Sequence, residues 1–331
     1  MTQAGSTAVK ALVLMSGGLD SRLAACVLRA QGIAVTGVSF VSPFFEATKA
    51  QQAAVALGLP LIVEDFAADI LALVEHPKHG FGSYMNPCID CHTAMLRRAG
   101  RIMERDGYRF IATGEVLNQR PMSQTRRNLE VVAEESGYKD SIVRPLSAQL
   151  LAETEPERRG WVDRTRLLAL EGRSRKPQFA LAAQFGLKDW PAAAGGCRLT
   201  EPNFAGRLRE LKRNEGLRDI EAIRRLRMGR HFRLSPTIRL IVGRDAADNE
   251  ALERAARPGE FILGPVDVPG PTALLPAAAS EADLVCAAGI CARYSHAGAE
   301  PVDIDVRVRG QVRRVRAERL ASEAVERLRI A

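Results

Sequence analysis

One glycine turn and three cysteines are the parts of this chain whose types and spacing could do chemistry. The turn is Ser16-Gly17-Gly18-Leu19-Asp20-Ser21. Apolar residues 11–15 precede it as a short buried strand, and Leu23, Ala24, Cys26, Val27, Leu28 and Ala30 follow it at helical spacing. A strand, a tight turn and a helix starting at the turn bring backbone N–H groups close to an anion, because Gly17 and Gly18 carry no Cβ to block the approach. The first N–H groups of such a helix are unpaired and its dipole is positive there, so phosphate is the natural guest. The turn has neither a Gly-Lys-Ser/Thr ending nor Gly-x-Gly-x-x-Gly spacing, which excludes those two nucleotide-binding patterns.

Cys88 and Cys91 flank Ile89-Asp90 where a loop enters a helix, a position that lowers a thiol pKa. Cys197 follows a small-residue stretch, 192–196. Four readings compete for them. A structural zinc wants four closing ligands, and a second Cys-x-x-Cys is missing. A thioredoxin-like redox pair would directly follow the first strand of its fold, not a long loop. Two small core residues could simply lie close together. Three thiolates, Cys88, Cys91 and Cys197, could instead hold three irons of a 4Fe-4S cluster and leave one iron open to sulfide. His92, beside Cys91, is expected to point away from that group. Cys26 reads as core, and Cys286 and Cys291 as structural residues of an Ala-rich helix.

The elements that must position these groups alternate. Strands are expected at residues 34–41, 59–63, 110–114 and 142–146, and helices at 44–57, 69–74, from 88 onward and at 179–185. That rhythm predicts an α/β fold, a doubly wound parallel sheet whose ligands sit at the carboxyl ends of the strands. Arg173, Arg175 and Lys176 form a cationic loop suited to nucleotide phosphates or an RNA backbone. Residues 204–233 read as helical and basic, with Leu208, Leu211, Ile220, Ile223 and Leu226 as the burying stripe and Arg224, Arg225 and Arg227 on the outer face. Ser235-Pro236 reads as a boundary before a smaller α+β unit. The expected division is 1–190, 191–234 and 235–331.

A length of 331 residues suits about two domains. With 46% hydrophobic residues, no apolar run approaches the ~20 needed to span a bilayer, so no membrane partner is expected. Residues 1–10 have no export signal, and a cytoplasmic location is expected. Lys and Arg total 47 against 39 acidic residues, a net charge of +8. Arginine favours bidentate phosphate contacts, although a high-GC genome also favours arginine.

Ser-Gly-Gly-x-Asp-Ser resembles the PP-loop of the ATP pyrophosphatases, which cleave ATP between the α- and β-phosphates and pass AMP to a carbonyl or carboxyl oxygen. The resemblance implies that Ser16, Gly17, Gly18, Asp20 and Ser21 wrap the pyrophosphate of ATP, that Asp20 helps hold Mg²⁺, and that the strand end at Phe40 takes adenine. Ala112-Thr113-Gly114 resembles the strand end that contacts ATP in tRNA-thiolating members, with Glu115 in place of the usual His. The PP-loop together with Cys88, Cys91 and Cys197, over about residues 10–210, is similar to cluster-dependent tRNA thiouridine synthases, the short 4-thiouridine synthases in particular. The implied activity is an ATP-dependent tRNA sulfurtransferase. It adenylates a uridine carbonyl and replaces the oxygen with sulfur, with 4-thiouridine at position 8 of tRNA preferred. Catalysis would rest on Asp20 and the three cysteines. A 2-thiouridine product, an iron-free persulfide route through Cys197, an amidating reaction and an RNA-binding protein with a relic nucleotide fold are the alternatives. The usual ferredoxin-like, THUMP and rhodanese regions are expected to be absent, leaving RNA binding to the basic helices and the last unit. Val242-Gly243-Arg244, Asn249-Glu250, Arg257-Pro258-Gly259-Glu260 and Asp267-Val268-Pro269-Gly270 resemble the NFACT RNA-binding domain, with Pro271-Thr272 where Ser-His is usual. Expected partners are tRNA and a sulfide or persulfide donor such as a cysteine desulfurase; a homodimer is left open.

Overall fold

The strand–helix alternation builds the expected parallel sheet in the computed structural model of the chain, which describes residues 8–190, 196–298 and 300–330. Two units divide the chain, Met1–Thr200 and Glu201–Ala331. The first contains β1 Lys10–Leu14, α1 Leu19–Arg29, β2 Ala34–Val41, α2 Thr48–Leu57, β3 Leu61–Asp65, α3 Ala67–Glu75, α4 Cys88–Asp106, β4 Phe110–Ala112, α5 Arg126–Ser136, β5 Ile142–Val143, α6 Glu155–Arg158 and α7 Lys176–Gln184. Its sheet runs β3-β2-β1-β4-β5 with every pairing parallel. Leu12 of β1 lies between Thr36 of β2 and Ile111 of β4. Ala11, Val13, Leu23, Phe110, Ala112 and Val143 belong to the core on the sheet, the continuous burial that a parallel sheet demands.

The order of strands reverses direction at β1. From there β2 and β3 extend one way, and β4 and β5 the other, so the crevice beyond β1 and β4 is where such a sheet takes a ligand. Ser16–Ser21 leaves β1 at that crevice and Thr113-Gly114 leaves β4 there. The helix expected from residue 44 starts only at Thr48. Phe44 is fully buried instead, and Ser42 bridges Phe45 in a tight turn.

The second unit contains α8 Pro202–Asn214, α9 Ile220–Arg225, β6 Arg230–Ser235, β7 Ile238–Val242, α10 Ala246–Ala255, β8 Phe261–Pro265, β9 Ala273–Leu275, α11 Glu281–Tyr294, β10 Val302–Val308, β11 Gln311–Ala317, α12 Ser322–Leu328 and β12 Arg329–Ile330. An antiparallel sheet in the order β11-β10-β8-β9-β7-β6-β12 packs its core against Leu284, Ala287, Ala288, Ile290 and Cys291 of α11. The short β9, α12 and β12 carry too few residues to show a period, and the pattern did not reveal them.

The helical, basic stretch expected over residues 204–233 is two helices followed by the start of a strand. Gly216, at φ 79°, ends the first, and the Asp219 side chain caps the second by accepting from the Ala222 N–H at 3.1 Å. Gly229 then turns the chain into β6 at φ 58°, where a Cβ would meet the Val242 carbonyl oxygen at 2.4 Å. Ser235-Pro236, expected as a boundary, opens the hairpin between β6 and β7, with Ser235 opposite Ile238.

The arginines of this region do not share one outer face. Arg225 is buried: its guanidinium holds both carboxylate oxygens of Glu260, at 2.7 and 3.0 Å, and the Ala255 carbonyl. The expectation that it binds RNA is therefore corrected; it ties α9 to β8's approach. Arg233 and Arg239 likewise turn onto Glu210 and Glu215. Arg224 is exposed and paired with Glu221, and Arg227 is exposed. Arg225→Ala, which removes the buried partner of Glu260 (side chain 11% exposed) and its bond to the Ala255 carbonyl, should lower the stability of this unit by about 3–5 kcal/mol. Arg224→Ala should change it by less than about 0.5 kcal/mol. Denaturant unfolding checks this, and equal losses would contradict the assignment.

Candidate nucleotide and cysteine site

The phosphate loop is held open by its own backbone and one buried arginine. Gly17 sits at φ 77° so close to the start of α2 that a Cβ would meet the Lys49 carbonyl at 2.2 Å. Across the loop, a Cβ on Gly114 would meet the Asp20 carbonyl carbon and the Ser21 nitrogen at 2.5 Å. Both glycines are thus required by close approach. Ser21 Oγ donates to the Gly18 carbonyl at 2.9 Å, and Gly18 N–H donates to Ser16 Oγ at 3.3 Å. Arg22, which the sequence reading missed, is buried and donates from Nε to the Gly17 carbonyl at 3.0 Å. Gly18 caps α1 without any side-chain bond, so the N–H groups of its first turn keep no internal side-chain partner at that cap.

Asp20 is the hub of a second set. Gln119 Nε2 donates to Asp20 Oδ2 at 2.9 Å, Arg175 Nη2 reaches Oδ1 at 3.3 Å, and Gln178 Nε2 donates to Gln119 Oε1 at 2.7 Å. The cationic loop before α7 is therefore brought to the phosphate loop across 155 residues of sequence. Of its other members, Arg173 and Lys176 are exposed. Gln119 and Gln178 were not foreseen, since a glutamine carries no spacing signal. Phe40 was expected at adenine, but its ring is buried against Phe66 with centroids 5.3 Å apart. The side chain belongs to the core, which leaves only the strand end itself for a ligand.

The three candidate cysteines all belong to the first unit. Cys88 and Cys91 open α4, where Asn86, buried, donates from Nδ2 to Cys88 Sγ at 3.1 Å. Arg198 N–H donates to the Phe44 carbonyl at 3.0 Å and Met85 N–H to the Leu199 carbonyl at 3.3 Å, which pins the segment carrying Cys197 against the loop before Cys88. Residues 192–195 of the expected small-residue approach lie outside the described residues. Burial, followed by the neighbouring Cys197 and Cys88 thiols and Asp90, pushes the Cys91 thiol well above its ordinary pKa. The three sulfur groups are thus electrostatic neighbours. Among the described residues no three His, Cys, Asp or Glu side chains converge on a point that would hold one metal ion. A cluster makes a different demand, one thiolate at each of several irons, and an all-thiol donor set suits it chemically. Cys26, Cys286 and Cys291 lie in or against the two cores, and burial pushes Cys291 up to about 12.

Glu115 joins the two halves. Its carboxylate accepts from Thr113 Oγ1 at 3.0 Å, from Arg144 Nε at 2.9 Å, and pairs with His92 Nδ1 at 3.1 Å. His92 Nδ1 is thereby engaged by Glu115. Thr113, expected on the nucleotide, instead gives its hydroxyl proton to Glu115. Burial would raise the Glu115 pKa, but the Arg144 charge and the His92 bond overcome it and lower it to about 2. The folded value lies below the ordinary 4.5, so the contribution to stability is complete above that pH and is lost as pH falls towards about 2. Glu115→Gln should remove this part of the acid sensitivity while lowering stability at neutral pH by about 3–5 kcal/mol, because Arg144 is left buried and unpaired. Unfolding curves measured from pH 7 down to acid test this. An unchanged acid slope in the variant would contradict it.

Two regions of the chain match known families. Residues 229–329 match the NFACT protein RNA binding domain, and residues 6–149 match the thiamine biosynthesis protein (ThiI) family. A tRNA-specific 2-thiouridylase MnmA of Syntrophotalea carbinolica is 33% identical over 31% of this chain and 38% of its own. A probable tRNA sulfurtransferase of Oceanobacillus iheyensis is 28% identical over 42% of this chain and 35% of its own. The chain thus spans little more than a third of the length of these curated relatives. A crystal structure of a 4-thiouridine synthetase–RNA complex with bound ATP covers 66% of this chain and 51% of that one, at 21% identity and a TM-score of 0.35. No helix among the described residues is long and apolar enough to cross a membrane. Within this chain, residues 6–149 form a domain of the ThiI kind and residues 229–329 one of the NFACT RNA-binding kind.

Proposed function

We propose that the chain is a cytoplasmic ATP-dependent tRNA sulfurtransferase, with 4-thiouridine as its preferred product. The placement of Cys88, Cys91 and Cys197 in the same unit as the phosphate loop, with Cys88 and Cys197 as electrostatic neighbours of Cys91 and His92 bonded to Glu115 beside Thr113, is the observation that supports this most. A uridine carbonyl is a poor leaving group. In the proposed first step its oxygen attacks the α-phosphorus of ATP, the bond to the β-phosphate oxygen breaks and pyrophosphate leaves. A hydrosulfide nucleophile then attacks the same carbon, the C–O bond breaks, AMP departs and one proton is released. No atom changes its redox state in that sequence.

The residues divide the work. Ser16, Gly17, Gly18 and Ser21 offer donors to the departing pyrophosphate, where charge develops. Asp20 offers carboxylate oxygen, the donor that Mg²⁺ takes beside phosphate oxygens. An ion there would release Arg175 from Asp20 towards the phosphates. Cys88, Cys91 and Cys197 would hold a 4Fe-4S cluster, which when bound supplies an iron open to sulfur. The second unit supplies affinity for tRNA, and its exposed arginines make that affinity fall steeply with salt. A persulfide on Cys197, resolved by Cys88 or Cys91, is the rival sulfur chemistry and draws on the same thiol proximity.

Nucleoside mass spectrometry of tRNA from a strain lacking this gene should show loss of 4-thiouridine, restored by the wild-type chain and not by Asp20→Asn or Cys197→Ser. An unchanged set of thionucleosides would refute the activity. Anaerobic purification should give a brown protein with about four irons per chain. A colourless, iron-free protein that still transfers sulfur would remove the cluster and favour the persulfide.

A further inference from the structure

Phe179 lies on the first turns of α7, one helical turn beyond Arg175, and nearly half of it is open to solvent at 47%. A lone exposed phenylalanine carries no meaning. This one is part of a stack. The Phe179 ring lies nearly parallel to Trp190, with an interplanar angle of 21° and centroids 6.0 Å apart. The Arg175 guanidinium stands over the Phe179 ring at 5.9 Å. Trp190 lies in the irregular segment after α7 and is packed against the core of the first unit, which anchors the stack. The same Arg175 reaches Asp20 of the phosphate loop at 3.3 Å. Its Nε is shut from water with no hydrogen-bond partner, and Gln178, 1% exposed, has an orphaned Oε1. A cation, an exposed aromatic ring and unmet polar atoms therefore meet directly beside the place where phosphate is held.

We infer that Arg175, Phe179 and Trp190 form a stacking platform for an unpaired base of the RNA substrate. The inference rests on the RNA-modifying reading above and adds to it where the polynucleotide meets the first unit. Three features select an RNA base over the adenine of ATP. Gln178 bonds Gln119, which follows β4, so the platform rises on the β4 side of the phosphate loop, across β1 from the β2 edge. Arg173 and Lys176 flank it as exposed cations, which suit the phosphates on either side of a stacked nucleotide in a continuing chain. An unpaired base is also what the chemistry needs, because a carbonyl within a stacked, paired duplex is out of reach of an enzyme.

The test uses the full chain, a short fluorescent oligouridylate and an identical oligonucleotide carrying 5-iodouridine for photocrosslinking. Phe179→Ala should weaken oligouridylate binding about five- to a hundredfold, the loss expected for one base-stacking ring, while Phe179→Tyr keeps it. Irradiation should crosslink the wild-type chain at the peptide carrying Phe179 and Trp190 and fail to do so in Phe179→Ala. Crosslinks confined to the second unit, or equal labelling of the first unit in the alanine variant, would overturn the platform. Displacement of the oligonucleotide from that peptide by saturating ATP would assign the platform to the mononucleotide and equally overturn it. None of these readouts needs sulfur transfer, so an intact crosslink together with unchanged tRNA nucleosides would sink the activity and leave the platform standing.

Discussion

A carboxylate buried at the carboxyl end of β4 takes bonds from three side chains that the sequence scatters widely: Thr113 beside the phosphate loop, Arg144 after β5, and His92 on α4 next to Cys91. Burying Glu115 alone would be prohibitive, and Arg144 makes it tolerable. Once ionised and fully bonded, the group fixes the end of β4, and with it Gly114 against the backbone of Asp20 and Ser21. It also holds the first turns of α4 through His92. The nucleotide loop and the cysteine helix are thus held through a single charged centre.

That arrangement gives the chemistry a division of labour. The loop after β1 has donors and Asp20 but no group able to carry sulfur. The cysteines have sulfur but stand apart from the hydrogen bonds that organise the loop. Asp20 is held between Gln119 and Arg175, and Arg175 in turn continues into an aromatic stack. In the proposed function phosphate and polynucleotide would draw on the charge of this one arginine, and a metal ion would compete with it for Asp20.

Much of this was legible in the residues themselves. Gly17-Gly18 between an apolar strand and a helical period announces an anion loop; the lowered thiol pKa expected at the start of α4 is not what Cys91 has, because burial and neighbouring negative charge raise it instead. The strands of the first unit follow from short apolar runs separated by helices. What escaped were features without a local period. The Gln119–Gln178 pair depends on two segments meeting in space, and the Arg22 contact on a bond to the backbone. Arg225 looked like a solvent-facing cation because its partner, Glu260, lies 35 residues away. The strand after Gly229 was hidden because Arg230 and Arg233 flank His231-Phe232 at an i, i+3 spacing that also continues the basic helical run before it. Phe40 fell to the opposite error: the strand end was placed correctly, and the ring was turned by Phe66 into the core.

In the proposed function activation belongs to the loop and sulfur transfer to the cysteines, two separable steps joined by Glu115. The most direct test is a single-turnover assay with labelled ATP and unmodified tRNA in which pyrophosphate release and thionucleoside formation are followed together. With Cys197→Ser, pyrophosphate should still be released in a tRNA-dependent burst while no thionucleoside forms; with Asp20→Asn, both should vanish. Thionucleoside formation by the Asp20 variant, or loss of the burst in the cysteine variant, would contradict the account.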